Sequence, residues 1–146
     1  MSPTDPPRTG HARWLIPLAL FGAVAVAGYL GWTLLDTLDD DAGVEKLVRV
    51  PALSATAEVG RAAYDRRCTQ CHGLHGGGTT TGPALVHPVY RSAHHADVAF
   101  TLAVRRGVRA HHWRFGDMPP QPDTSPDEVE AVTRYIRELQ RANGID

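Results

Sequence analysis

Cys68-Thr69-Gln70-Cys71-His72 holds the only two cysteines of the chain and sets a histidine directly behind the second. Several chemistries use cysteines three residues apart. A structural zinc ion needs four ligands, which Cys68, Cys71, His72 and His75 would have to supply. Finger and ribbon sites draw instead on two separated pairs, and adjacent Cys71 and His72 reach one tetrahedral ion with difficulty. A thioredoxin-like redox pair expects a βαβ pattern, which the sequence lacks. A disulfide at this spacing would close a very short loop and stabilise little. Covalent haem fits best: the two thiols add to the haem vinyl groups, and the next residue is held beneath the iron as an axial ligand. Zinc is the remaining alternative.

His72 would leave one face of such an iron open. Met118, in Gly116-Asp117-Met118-Pro119-Pro120, is the only methionine outside the first residue. A thioether suits haem iron, where Met/His ligation raises the reduction potential. The flanking prolines stiffen the loop and fix where the sulfur points. The rivals are the pairs His94-His95 and His111-His112. His111-His112-Trp113 lies close to the Met118 loop; one of these histidines, or Arg105, Arg106, Arg109 or Arg114, could bond a haem propionate. His111-His112-Trp113 also leaves room for a second metal or an unusual propionate environment.

Helices must position these groups. Ala57 to Arg67 reads as a helix running straight into Cys68, with Thr56 as N-cap and Glu58 in its first turn. Gly73 to Pro88, with five glycines and two prolines, is a loop. Its GGGTTTGP lacks the ending and the preceding strand of a phosphate cradle. Ser92 can cap a helix from Ala93 to Arg106 with Val98, Ala99, Phe100 and Leu102 on its apolar side, stopped by Gly107. Ser125-Pro126-Asp127-Glu128 is a capping box with proline at the first helical position, and Val129, Val132, Tyr135, Ile136 and Leu139 follow at helical spacing. Asn143-Gly144 ends that helix. No stretch alternates at period two, so the fold class is all-α without a sheet.

Ahead of these helices, Trp14 to Leu35 runs 22 residues without a charge. As a helix it would reach about 33 Å, enough to cross a hydrocarbon core. Trp14, Tyr29 and Trp32 sit towards its ends, where interfacial aromatics belong. A cleaved signal peptide ending at Ala23-Val24-Ala25 or Ala25-Val26-Ala27 is the rival, but the apolar run continues well past Ala27. The expected organisation is a disordered cytoplasmic tail (1–13), a transmembrane anchor (14–35), a linker (36–56) and a haem domain (57–146). Val44, Leu47, Val48 and Val50 leave room in the linker for a short piece packed on the head.

The formal net charge of -1 gives no reason to expect nucleic acid. Residues 36–54 carry five acids and two bases; from Ala55 onward there are eleven arginines, no lysine and ten acids. The 90 residues of the head hold few large side chains, a marginal core that a central macrocycle would complete.

Residues 57–146 resemble a class I c-type cytochrome. Gly60, Tyr64 and Cys68-Thr69-Gln70-Cys71-His72 match its first helix, and Tyr135 matches the aromatic of its last, which crosses the first. Gly82-Pro83-Ala84-Leu85 resembles the loop whose proline carbonyl accepts a hydrogen bond from the axial histidine, which gives Pro83 the task of orienting His72. Gly116-Asp117-Met118-Pro119-Pro120 resembles the methionine-ligand loop. His111-His112-Trp113 has no counterpart in that pattern. The resemblance implies one covalent haem c and a single-electron carrier without enzymatic activity. It also implies a head on the periplasmic side of the inner membrane, and a quinol-cytochrome c reductase and a terminal oxidase or reductase as respiratory-chain partners. Two other readings stand beside the carrier. One is an open-site haem enzyme or sensor, which needs Met118 displaced. The other is an accessory subunit held in a larger oxidoreductase by its span, where Gly22, Gly28 and Gly31 could pack on another helix.

Overall fold

Gly60 lacks a side chain, and this lets the first and last helices of the head touch. A Cβ there would stand 1.9 Å from the carbonyl oxygen of Ala131 and 2.9 Å from the nitrogen of Val132. The helices that meet at this point are α1, Ala55–Arg67, and α4, Pro126–Ala142. Tyr64 and Tyr135 are fully buried beside the contact, their rings 5.6 Å apart and tilted by 60°. Ala57, Ala63, Val132, Ile136 and Leu139 complete the core, with Val86 from the intervening loop. The expected helical stripe of α4 (Val129, Val132, Tyr135, Ile136, Leu139) is buried throughout. Its capping box closes in both directions between Ser125 and Glu128, and Asn143 caps its end.

The computed structural model describes residues 21–33 and 47–146. The chain divides into two units, 1–41 and 42–146. In the first unit residues 21–33 are helical, and Phe21, Val24, Val26, Tyr29, Leu30 and Trp32 are exposed. Among the described residues no helix is long and apolar enough to cross a membrane. The expected tail (1–13), the ends of the expected span (14–20, 34–35) and linker residues 36–46 lie outside the described residues.

In the second unit, α1 is followed by the short helix α2, Thr69–His72, then by α3, Asp97–Arg106, and by α4. Single 3-10 turns occupy Leu74–Gly76 and Pro88–Tyr90. No β-strand occurs among the described residues; one isolated antiparallel bridge joins Val108 and Met118.

Two helix starts differ from expectation. α1 begins at Ala55 under Ser54, not under Thr56. The Ser54 side chain accepts from the Ala57 N–H at 3.2 Å, while its own N–H and hydroxyl donate to Glu138 at 3.0 and 2.8 Å. A partner 84 residues away fixes this boundary. Residues 47–54, placed in the linker by sequence, belong with the head here: Val48 and Leu53 pack on the core, and Arg49 exchanges backbone bonds with the Asn143 amide.

The second difference is α3, which starts at Asp97 rather than Ala93 and has Ala96, not Ser92, at its N-cap. Arg137 is the reason. Its guanidinium, buried on α4, donates to the carbonyls of Tyr90 and His95 and to Asp97 Oδ1, so residues 90–96 wrap around it as turns. Val98 of the expected apolar stripe points outward at 61% exposure.

Candidate functional site

The site begins where α1 ends. Helical bonding passes through Cys68, whose N–H donates to the Tyr64 carbonyl, into the turn that carries His72. Cys68 is half-buried, Cys71 is exposed, and they form no disulfide. Burial pushes the Cys68 thiol up to about 11, the opposite of the depressed value that marks a reactive redox cysteine.

The segment after His72 folds back beneath it. Gly73 has φ +71°, and a Cβ on it would lie 2.2 Å from the Gly78 carbonyl oxygen. The Tyr64 hydroxyl donates to the Gly73 carbonyl at 2.9 Å, and the Gly78 N–H donates to the His72 carbonyl at 2.7 Å. Burial pushes the Tyr64 hydroxyl far above its ordinary range, so it stays a donor. Gly82 passes so close to Cys71 that a Cβ would stand 2.5 Å from the Cys71 carbonyl oxygen. This packing presents the Pro83 carbonyl 2.9 Å from His72 Nδ1. Nδ1 therefore carries the proton and Nε2 keeps its lone pair for a metal. Burial also holds the His72 imidazole below its ordinary value, against the opposing effect of the Pro83 bond, and so favours the neutral, ligand-competent form.

Met118 is held from the other side. Val108 and Met118 exchange both backbone bonds, at 3.0 and 2.9 Å, and the Gln121 N–H donates to Val104 of α3 at 2.7 Å. Asp117 accepts from the Ala110 N–H at 2.9 Å and squares the loop. Gly107, φ +73°, allows the crossing: a Cβ there would meet the Met118 carbonyl oxygen at 2.5 Å.

Between these walls lies a cavity of about 410 Å³ bordered by Cys68, His72, Pro83 and Met118. Leu85, Phe100, Ala103, Val104, Phe115 and Val132 supply much of its apolar lining. Cys71 borders a smaller adjoining space together with His72 and Met118. The donor set fits a haem: two thiols three residues apart, one imidazole with its outer nitrogen already bonded, one thioether, and an apolar wall.

The cytochrome c family model matches residues 57–140. The chain belongs to the cytochrome c family. Comparison with curated proteins and with solved structures gives no match. Its cofactor is one covalently attached haem c, and the family's chemistry is haem-based electron transfer.

The remaining candidates separate into groups. Arg106 borders the cavity, whereas Arg105, Arg109 and Arg114 do not. Trp113 is part of the wall: its indole N–H donates to the Tyr90 hydroxyl at 3.0 Å, and its ring meets His87 edge-on at 4.9 Å. His95, His111 and His112 border the cavity, and His94 does not. All four rings form one cluster, within which His112 is held below its ordinary value by burial and then by the other three histidines.

Sequence reasoning missed Arg137 and Gln140. Gln140 is fully buried, donates to the carbonyls of Leu85 and Tyr90 and accepts from Arg137. Both polar residues lie on the inner side of α4 and tie the cavity-lining loop to it. Their spacing from Ile136 and Leu139 was the available signal.

Proposed function

We propose that this cytochrome is a membrane-anchored carrier of single electrons, with haem bound through Cys68 and Cys71 and ligated by His72 and Met118. One observation carries the reading: Cys68, His72 and Met118 border a single apolar cavity, with His72 Nδ1–H hydrogen-bonded to the Pro83 carbonyl. A haem held there would supply one-electron exchange, and with His72 and Met118 both bound to it no substrate would reach the metal. Pro83 fixes the tautomer and orientation of His72. The Val108–Met118 bridge aims the thioether into the cavity. Leu85, Phe100 and Val132 exclude water.

The charge-free run 14–35 supports an anchor, and the exposed apolar side chains of 21–33 accord with one. Tethering concentrates the head near membrane partners. Covalent haem attachment favours a head on the periplasmic side, and the partners proposed there are a quinol-oxidising complex and a terminal oxidase or reductase.

Visible spectra of the purified oxidised and reduced protein test the site. A low-spin spectrum resistant to acid extraction, with the far-red methionine–iron band, is expected. Met118→Ala should abolish that band and let carbon monoxide bind the reduced protein. Carbon monoxide binding by the unaltered protein would replace the carrier reading with an open-site enzyme or sensor. Retention in the membrane pellet after an alkaline carbonate wash tests the anchor separately.

A further inference from the structure

We propose that His94, His95 and His112 form a second metal site, for a divalent transition ion with Cu²⁺ preferred, at the rim of the haem cavity. One coordinating atom from each residue lies within 4.8 Å of the others. The rings of His94 and His95 are 4.6 Å apart, and those of His94 and His95 lie 5.4 and 5.3 Å from His112. Two separate segments meet to make this arrangement: the turn before α3, and the loop that leads to Met118.

Both segments are fixed by bonds that leave imidazole nitrogen available. The His95 Nδ1–H donates to the Val89 carbonyl at 2.8 Å, which leaves Nε2 as the donor atom. The His95 backbone carbonyl is held by Arg137. His111, whose ring is 4.3 Å from that of His112 and 6.2 Å from that of His95, bonds the Arg109 carbonyl through Nδ1 and stays outside the three-residue set. The nearby carboxylates have other work: Asp97 pairs with Arg137 and Asp117 accepts from Ala110.

A propionate-binding role would account for imidazoles that border the cavity. It does not account for His94, which is outside the lining yet packed against His95 and His112. Metal–nitrogen bonds of about 2.0–2.1 Å put neighbouring donors about 3.4 Å apart in a tetrahedron and about 2.9 Å apart in the square-planar arrangement of Cu²⁺, so the imidazoles must close by up to about 2 Å. His94 and His112 are exposed and can swing by that amount. An all-imidazole donor set selects zinc, copper or nickel over calcium or magnesium, and the order of divalent affinities puts copper first. The site does not rest on the electron-carrier reading, because it uses none of the proposed haem ligands.

The test is calorimetric titration of the full-length oxidised holoprotein with Cu²⁺, and separately Zn²⁺, after chelator treatment, with electron paramagnetic resonance of the copper form. One Cu²⁺ per chain, nitrogen hyperfine structure, and an unchanged methionine–iron band are expected. His94→Ala and His112→Ala should each weaken binding about 100-fold, at or beyond the usual loss for an outer-sphere partner. His11→Ala, in the N-terminal segment, should leave it unchanged. Absence of saturable binding, binding that survives both cluster variants, or binding that removes the methionine–iron band would overturn the proposal. Failure of the haem spectrum alone would sink the carrier reading and leave the copper result to be judged on its own.

Discussion

The two walls of the cavity are built on different terms. On the His72 side, backbone presses on backbone: Gly60 on Ala131, Gly73 on Gly78, Gly82 on Cys71. Those glycines are all buried. On the Met118 side, none of residues 107–118 is buried, and the loop hangs from the Val108 bridge, Gln121 and Asp117. A contact between main chains cannot be relieved by turning a side chain. A bridged surface loop can shift without disturbing the core. The imidazole wall is therefore the fixed half of the site and the thioether wall the adjustable half. Substitutions that alter ligation without unfolding the protein belong on the second.

The most damaging single change on this view is Gly60→Ala. Its Cβ has nowhere to go, because the obstructing atoms are the carbonyl group of Ala131 and the Val132 nitrogen. Separating α1 from α4 would loosen Tyr64 and Tyr135 together. Chemical denaturation of the holoprotein should show a loss of about 3–4 kcal/mol. A loss under about 1 kcal/mol would mean that the crossing slides freely, and the fixed wall would lose its main support.

Arg137→Met comes next, and it acts across the boundary between the walls. The guanidinium joins α4 to the carbonyls of Tyr90 and His95, lies 5.0 Å from the Phe100 ring centre, and bonds Asp97. Asp97 is well exposed, so the ion pair itself contributes little. The cost comes from the His95 carbonyl and the Gln140 amide oxygen left without a donor, while Tyr90 keeps its bond from Gln140; the loss should be about 2–3 kcal/mol in denaturation. The same variant should weaken Cu²⁺ binding, since His95 rides on the segment that Arg137 holds. Unchanged copper affinity would show that the turn keeps its shape without Arg137.

What was legible in the sequence follows the same division. The residues proposed as ligands stood out in the sequence because their chemistry is local: cysteines at fixed spacing, a histidine beside them, one methionine between glycine and prolines. α4 could be read because its cap and its apolar period lie in one stretch. The starts of α1 and α3 could not, because Glu138 and Arg137 set them from far along the chain. The His94–His95–His112 cluster was equally hidden. Each pair looks like surface on its own, and only the fold of residues 90–118 brings them together.

A contrast between glycines sharpens the comparison. Gly116 has φ +89° but open space around it, with nothing within 4 Å of an added Cβ. Gly116→Ala therefore meets only backbone strain, about 1–2 kcal/mol. Its effect should fall on the Met118 loop: a weaker methionine–iron band, with the denaturation midpoint moved far less than by Gly60→Ala. A loss as large as that of Gly60→Ala would show that the thioether wall is as rigid as the other.

The smallest effect tests how the head is fastened to the segment before it. Ser54→Ala removes the cap of α1 and one of the two bonds to Glu138, and should cost about 1 kcal/mol. Burial alone would push the Glu138 carboxyl up, but the bonds from Ser54 and Arg134 outweigh it and hold it below its ordinary 4.5. The folded protein thus binds fewer protons here than the unfolded chain. The stabilisation is complete above about pH 4.5 and is lost as pH falls through the depressed folded value. Stability measured between pH 7 and pH 3 should fall less steeply in Glu138→Gln than in the parent. Glu128 is also depressed, chiefly by its Ser125 bond, and remains in that variant, so part of the acid slope must persist. An unchanged slope in Glu138→Gln would assign the acid sensitivity elsewhere. A variant stability equal to the parent at pH 7 would mean that residues 47–54 are held by Val48 and Leu53 rather than by the Ser54–Glu138 bonds.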